Sequence, residues 1–210
     1  MVLPKSMHQR LLPSEVQFLS ENELITILPR YSMKRLDLIG VRYNFSDVRT
    51  DSKVAPLKAM RRMEVPLWVA LILKAQDKCN IIPPGWLSYS YLKEKYEEEK
   101  RFTDLFSDLP WNWLEISNII LAKASDDLTD SHSQLRSLIQ DLREMRQLKA
   151  RRGLRELNES NIQLHGLSLM EINEIRPFVL GIMGKLLQLH HSVRPEDVAP
   201  EDDDNESDLE

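Results

Sequence analysis

A single cysteine, Cys79, among 210 residues excludes a disulfide framework and any multi-cysteine zinc site. That scarcity suits a reducing intracellular compartment. Glycine is scarce too, and the six (Gly40, Gly85, Gly153, Gly166, Gly181 and Gly184) never fall into G-x-x-x-x-G-K-[ST] or G-x-G-x-x-G, so no phosphate-cradling loop is written here. No serine stands in a G-x-S-x-G elbow. The longest apolar run, Val65 to Leu73, is closed by Glu64 and Lys74, far short of the roughly 20 residues that span a bilayer. Met1-Val2-Leu3-Pro4-Lys5 opens no signal-peptide-like stretch, so a soluble, non-exported protein is expected. His190 and His191 are adjacent and would point about 100° apart on a helix, while His8, His132 and His165 lack partners at ligand spacing. Cys79, beside Ile81 and Ile82, reads as a small buried hydrophobe and not as a nucleophile. The expectation is no catalytic residue, no metal and no cofactor.

What the chain does have is a divided charge. Its net −5 hides a tail, residues 196–210, with nine acids and no base; the other 195 residues hold 24 acids against 28 bases, a charge of +4. After Arg194-Pro195 the tail has nothing to build a core from and reads as disordered. It can serve solubility, bind a basic surface, or take a phosphate at Ser207, which acids follow. In the body, Arg143, Arg146, Lys149, Arg151, Arg152 and Arg155 stand close together with Glu144 the sole acid among them. They form either a solvated helix end or a contact surface for an acidic partner or a phosphate backbone. No aromatic interleaves with them, which argues against base stacking.

Hydrophobic patterning organises the rest. Residues 1–13 read as irregular. Ser14, with Gln17 at the return position, suits a short helix start, and Glu23 to Leu28 reads as a strand stopped by Pro29. Arg35 to Gly40 reads as a second strand, giving a hairpin or meander with the first. Residues 41–62, with six bases against Asp47 and Asp51, read as an exposed, partly mobile basic loop. Pro66 suits the first turn of a helix to about Gln76, apolar on every side and therefore central to a core or an interface. Trp68, Trp111 and Trp113 are core candidates that can also anchor interfaces.

From Ser88 the pattern is helical. Helices are expected over 90–100, from 108–110 to about 124, over 131–157 with Leu135, Leu138, Ile139, Leu142, Met145 and Leu148 as its stripe, and over 168–192. Gly153 weakens the end of the third of these. The last has the clearest start: Gly166 for a left-handed turn, then Ser168 and Glu171 in S-x-x-E, with Leu167 and Ile172 as a hydrophobic staple. Pro177 falls inside it and is expected to kink it.

Several segments together resemble one family, the second partner-of-Sld-five (Psf-two) subunit of the eukaryotic GINS replication complex. They are Ser14 to Glu23, Leu28-Pro29-Arg30-Tyr31-Ser32 with Leu36, Leu38, Ile39 and Gly40, and Glu64 to Ala70 with Leu73-Lys74 and Lys78-Cys79. Pro83-Pro84-Gly85-Trp86 and Leu167-Ser168-Leu169-Met170-Glu171-Ile172-Asn173 complete the set. Leu109-Pro110-Trp111-Asn112-Trp113 and the 135–160 helix look fungal. The resemblance covers about 15–40 and 63–190; Gly85, Tyr31 and the length of 41–62 depart from the usual pattern.

The resemblance implies an α+β, mainly α fold: a small β-rich domain over 14–64 followed by an α-helical domain over 65–194, with residues 1–13 and 195–210 outside both. It implies a non-catalytic subunit of a heterotetramer with Sld-five, Psf-one and Psf-three types. That tetramer would join the MCM hexamer and the Cdc-forty-five protein in the nuclear replicative helicase and, through the assembly, meet DNA polymerase epsilon, with no membrane role and DNA contact secondary. The contact residues expected on these grounds are Trp68 and Leu71 in the central helix and Arg143, Arg146, Lys149 and Arg152 on the basic surface. The alternative is a nucleic-acid-binding module acting through 143–155. Because the tail lies apart from every apolar stripe, deleting 196–210 is expected to leave such a complex assembled; size-exclusion chromatography of the co-expressed subunits checks this, and a lost tetramer would make the tail structural.

Overall fold

The computed structural model describes residues 10–33, 36–40, 53–54, 56–155 and 164–193. Within them the order is α1 (Pro13–Ser20), β1 (Leu24–Pro29), β2 (Leu36–Gly40), β3 (Lys53–Val54), β4 (Met63–Pro66), α2 (Leu67–Ala75) and β5 (Cys79–Ile81). Then follow α3 (Tyr89–Arg101), α4 (Trp113–Lys123), a 3₁₀ turn (Ser125–Asp127), α5 (His132–Gly153) and α6 (Leu169–Val193). The fold is mainly helical, with a small antiparallel sheet near the N-terminus.

β1 alternates as its sequence dictates, Ile25 and Ile27 turned inward and buried. It is the central strand of a sheet ordered β4-β1-β5, with Ile25 opposite Val65 and Ile27 opposite both Met63 and Ile81. The expected hairpin between 23–28 and 35–40 does not form. β2 pairs instead with β3, Leu36 opposite Val54, while β1 takes the later strands, whose Val65, Cys79 and Ile81 bury beside its isoleucines. The basic-loop reading is corrected at its end as well: Lys53–Val54 is a strand, and Leu57 is buried with Met33 donating its N–H to the Leu57 carbonyl at 2.8 Å. Residues 41–52, the N-terminal nine and the acidic tail lie outside the described residues.

α2 follows β4 without a loop. Its first free N–H groups are satisfied from the turn after α1, Leu67 donating to the Glu23 carbonyl at 2.8 Å and Trp68 to that of Glu21 at 3.0 Å. Leu67, Val69, Ala70, Leu71 and Leu73 bury against the sheet, but Ile72 stays 50 % exposed, so α2 does have a solvent face. Since β5 comes after α2 and completes the sheet, the β-rich unit extends past the expected boundary at 64/65, which falls inside β4. The 3₁₀ turn ties this unit to the helices. One Asp127 carboxylate oxygen accepts the Ile81 N–H at 2.8 Å and meets Lys74 Nζ at 2.9 Å.

α1 begins at Pro13, one residue before the expected cap, because the Glu15 carboxylate accepts the Leu12 N–H at 2.8 Å. α4 begins at Trp113, later than expected, since Pro110 is spent in the turn whose carbonyl accepts the Trp113 N–H. α5 ends at Gly153, and α6 runs through Pro177. Leu92, Trp113, Ile120, Leu135 and Leu142 of the helices join Ile27, Val65 and Leu67 of the β-rich unit in one continuous core.

Before α6 the backbone turns at Gly166 with φ 79°, and a Cβ there would lie 2.9 Å from Phe106 Cβ. Gly166→Ala therefore meets both a left-handed backbone penalty and a clash, and is expected to cost about 1–3 kcal/mol. Urea denaturation measures it; an unchanged midpoint would show that the turn is free to relax.

Candidate protein interface and its ionic anchor

The stripe of α5 that buries Leu135, Leu138, Ile139 and Leu142 continues, at helical spacing, to Arg146 and Lys149. Both are therefore carried inward. Arg146 is 0 % exposed, and each of its five guanidinium N–H donors has an acceptor. Nε donates to Glu171 Oε1 at 2.6 Å; Nη1 donates to Glu99 Oε1 at 2.7 Å and the Ser107 carbonyl at 3.0 Å; Nη2 donates to Glu171 Oε2 at 3.0 Å and to the Gly166 carbonyl. The Phe106 ring lies 5.0 Å from the guanidinium carbon. Lys149 Nζ pairs with Glu99 Oε2 and donates to the Leu105 carbonyl at 2.8 Å. Two carboxylates and two cations thus neutralise each other in the interior, joining α3, the 102–108 segment, α5 and the start of α6.

Burial pushes the Glu99 carboxyl up, but the hydrogen bonds from Lys149 and Ser107 and the Arg146 charge outweigh it and leave Glu99 below the ordinary glutamate range. Arg146 is held protonated by Glu171 and Glu99 against its own burial. Glu115 on α4 is the contrasting case: buried, with neither carboxylate oxygen hydrogen-bonded, it is pushed up by burial and further by Glu171 and Glu174.

Glu171 does double service. Its Oε2 also accepts the Ser168 N–H at 2.7 Å, the return half of the expected capping box; the forward half does not form, since Ser168 Oγ is buried without a hydrogen-bond partner. Further along the first turns of α6, Asn173 exchanges two hydrogen bonds with the Leu11 backbone, at 2.8 and 3.0 Å, and Glu174 meets Arg143 at 2.7 Å and Gln147 at 2.9 Å. These contacts hold the N-terminal end of α6. Farther along, its apolar residues emerge: Phe178, Leu187 and Leu189 are 52 %, 56 % and 62 % exposed, with Ile175, Val179, Ile182, Met183 and Leu186 only half-buried. A helix with that much uncovered apolar surface offers a contact face.

The expected contact residues separate accordingly. Arg146 and Lys149 are not on a basic surface: the periodicity that buries Leu142 buries them too, and Glu99 and Glu171 neutralise them. Arg143 is part-exposed and engaged with Glu174, while Arg152 is exposed beside Arg151 and Arg155. Leu71 belongs to the core, and Trp68 is half-buried against it. The residues that sequence reasoning passed over as contacts are Ile72, Phe178, Leu187 and Leu189. Their periodicity marks them as apolar but not as uncovered. Cys79 is buried, its thiol pushed up to about 11 chiefly by that burial, so it is poorly nucleophilic. Among the described residues no group of three His, Cys, Asp or Glu is placed to hold a metal, and no helix is long and apolar enough to cross a membrane.

Known proteins match this chain along both of its units. Residues 12–82 match the PSF2 N-terminal domain, and residues 86–190 match the GINS complex protein helical bundle domain. The DNA replication complex GINS protein PSF2 of Debaryomyces hansenii is 64 % identical over 193 residues, covering 92 % of this chain and 88 % of that protein. The protein of the same name from Candida albicans is 59 % identical over 206 residues (98 % and 96 %), and that from Saccharomyces cerevisiae 46 % over 196 (90 % and 92 %).

The anchor makes two expectations measurable by denaturation. Arg146→Met strands buried Glu171 and is expected to cost about 3–5 kcal/mol, whereas exposed Arg152→Ala should change stability by less than about 0.5 kcal/mol. Because the Glu99 carboxyl is lowered on folding, its stabilisation is present above the ordinary glutamate pKa and is lost as pH falls through the folded value. The fall in melting temperature between pH 7 and about pH 2 should accordingly shrink in Glu99→Gln; an unaltered acid limb over that range would show that Glu99 is not coupled to folding.

Proposed function

The chain belongs to the PSF2 family of GINS proteins, and on that premise we propose that it is a non-catalytic structural subunit of a GINS complex in DNA replication. Its partners in this reading are three other subunits, of Sld-five, Psf-one and Psf-three types, in a heterotetramer. That tetramer works in the nucleus, joining the MCM hexamer and the Cdc-forty-five protein as part of the replicative helicase and meeting DNA polymerase epsilon through the assembly.

The observation that carries the reading is α6, gripped at its start by Glu171, Asn173 and Glu174 and apolar but uncovered beyond them. Such a helix gains by burying its face against another protein, at roughly 25 cal/mol per Å² of apolar surface removed from water. The nucleic-acid alternative through 143–155 loses support, because two of its bases are interior and a third is engaged by Glu174. Arg151, Arg152 and Arg155 leave DNA contact a secondary role.

Co-expression with the three partner types is expected to yield a 1:1:1:1 complex. Phe178→Asp with Leu187→Asp should reduce its yield strongly while leaving the circular-dichroism melt of the chain unchanged. A monomer that ignores those partners would overturn the reading, and a double variant that assembles normally would move the interface off α6.

A further inference from the structure

Where the β-rich unit meets the start of α4, a cavity of about 340 Å³ opens between residues distant in sequence. Its apolar walls include the rings of Pro84 and Trp86, just before α3, and of Pro110 and Trp111, just before α4. Trp111 is held in place by its carbonyl, which accepts the Leu169 N–H of α6 at 3.0 Å, while its own side chain remains about half exposed.

The polar groups of this cavity are unbalanced toward acceptors. Asn112 is only 5 % exposed, and its Nδ2 donates to Glu23 Oε1 at 2.9 Å. Its Oδ1 is buried with no hydrogen-bond partner, although Asn112 directly precedes α4 and such a residue ordinarily caps. Beside it stands the exposed Glu23 carboxylate, with which, among the described residues, no cation is paired.

We propose that this cavity is a socket for an arginine side chain presented by a partner protein. A guanidinium combines what the walls ask for. Its flat face stacks on indole rings, its stem lies along proline and aliphatic surface, and its forked donors meet a carboxylate two at a time. A lysine ammonium offers the charge without the flat face or the fork. At about 340 Å³ the cavity stands at the small end of ligand sites, which suits one long side chain better than a cofactor. The inference stands on the chemistry of the cavity and does not depend on which assembly the chain enters.

The test uses the full-length chain labelled with 5-fluorotryptophan, whose four tryptophans give separate fluorine signals assignable by Trp→Phe variants. The probe is the peptide acetyl-Gly-Arg-Gly-amide, with its lysine and its neutral citrulline counterparts as comparisons. The arginine peptide should shift the Trp86 and Trp111 signals saturably and leave those of Trp68 and Trp113, which do not line the cavity, in place. Glu23→Gln keeps an acceptor for Asn112 and removes only the charge; it should weaken binding about tenfold or more. Trp111→Ala should abolish the Trp86 shift. Absence of any saturable shift, an equal response to the citrulline peptide, or lysine binding as tight as arginine would each overturn the proposal.

Discussion

Arg146 brings five donors and a positive charge into the protein interior, and the structure around it is arranged to meet them. Acceptors come from α3, from the segment after it, from the turn at Gly166 and from α6, so one side chain of α5 holds four pieces of chain in register. Desolvation makes this arrangement nearly all-or-none. A guanidinium left with half its partners would cost more than an apolar residue of the same size. The direction in which α6 departs is thereby coupled to the packing of α3 on α5, and Glu171 closes the loop by serving both the cap of its own helix and the fork of Arg146.

The β-rich unit obeys a different constraint. β1 turns Ile25 and Ile27 inward and needs apolar neighbours on both edges, which it finds on either side of α2 in Val65 and Ile81. That demand folds α2 onto the sheet and brings Lys74 to Asp126 and Asp127, where the helical part begins. The two units consequently share one core, and α6 is presented from a braced body.

Much of this was legible in the chain. The Glu171 half of the capping box, the left-handed turn at Gly166, the strand at 24–28 and the apolar stripe of α5 follow from local rules that act over a few residues, and each stands close to where those rules put it. Arg146 and Lys149 were also on that stripe, three and four residues from apolar neighbours. Read as charge they belonged to the surface, and read as spacing they belonged to the core. Spacing prevailed because Glu99 and Glu171 could neutralise them, and nothing local to 143–155 announces either acid.

The strand partners, the uncovered face of α6 and the cavity beside Asn112 are of another kind. Periodicity tells which side of a helix or strand is apolar, because side-chain direction is fixed by the backbone repeat. It cannot tell what lies against that side. Whether Leu71 is covered and Ile72 is not, or whether β1 takes β2 or β4, depends on contacts between residues tens of positions apart. Local propensity and patterning therefore determined the elements and the lack of recognisable catalytic motifs. The pairing of strands, the burial of the ion-pair network and the surface left for other molecules were decided only when distant segments competed for the same space.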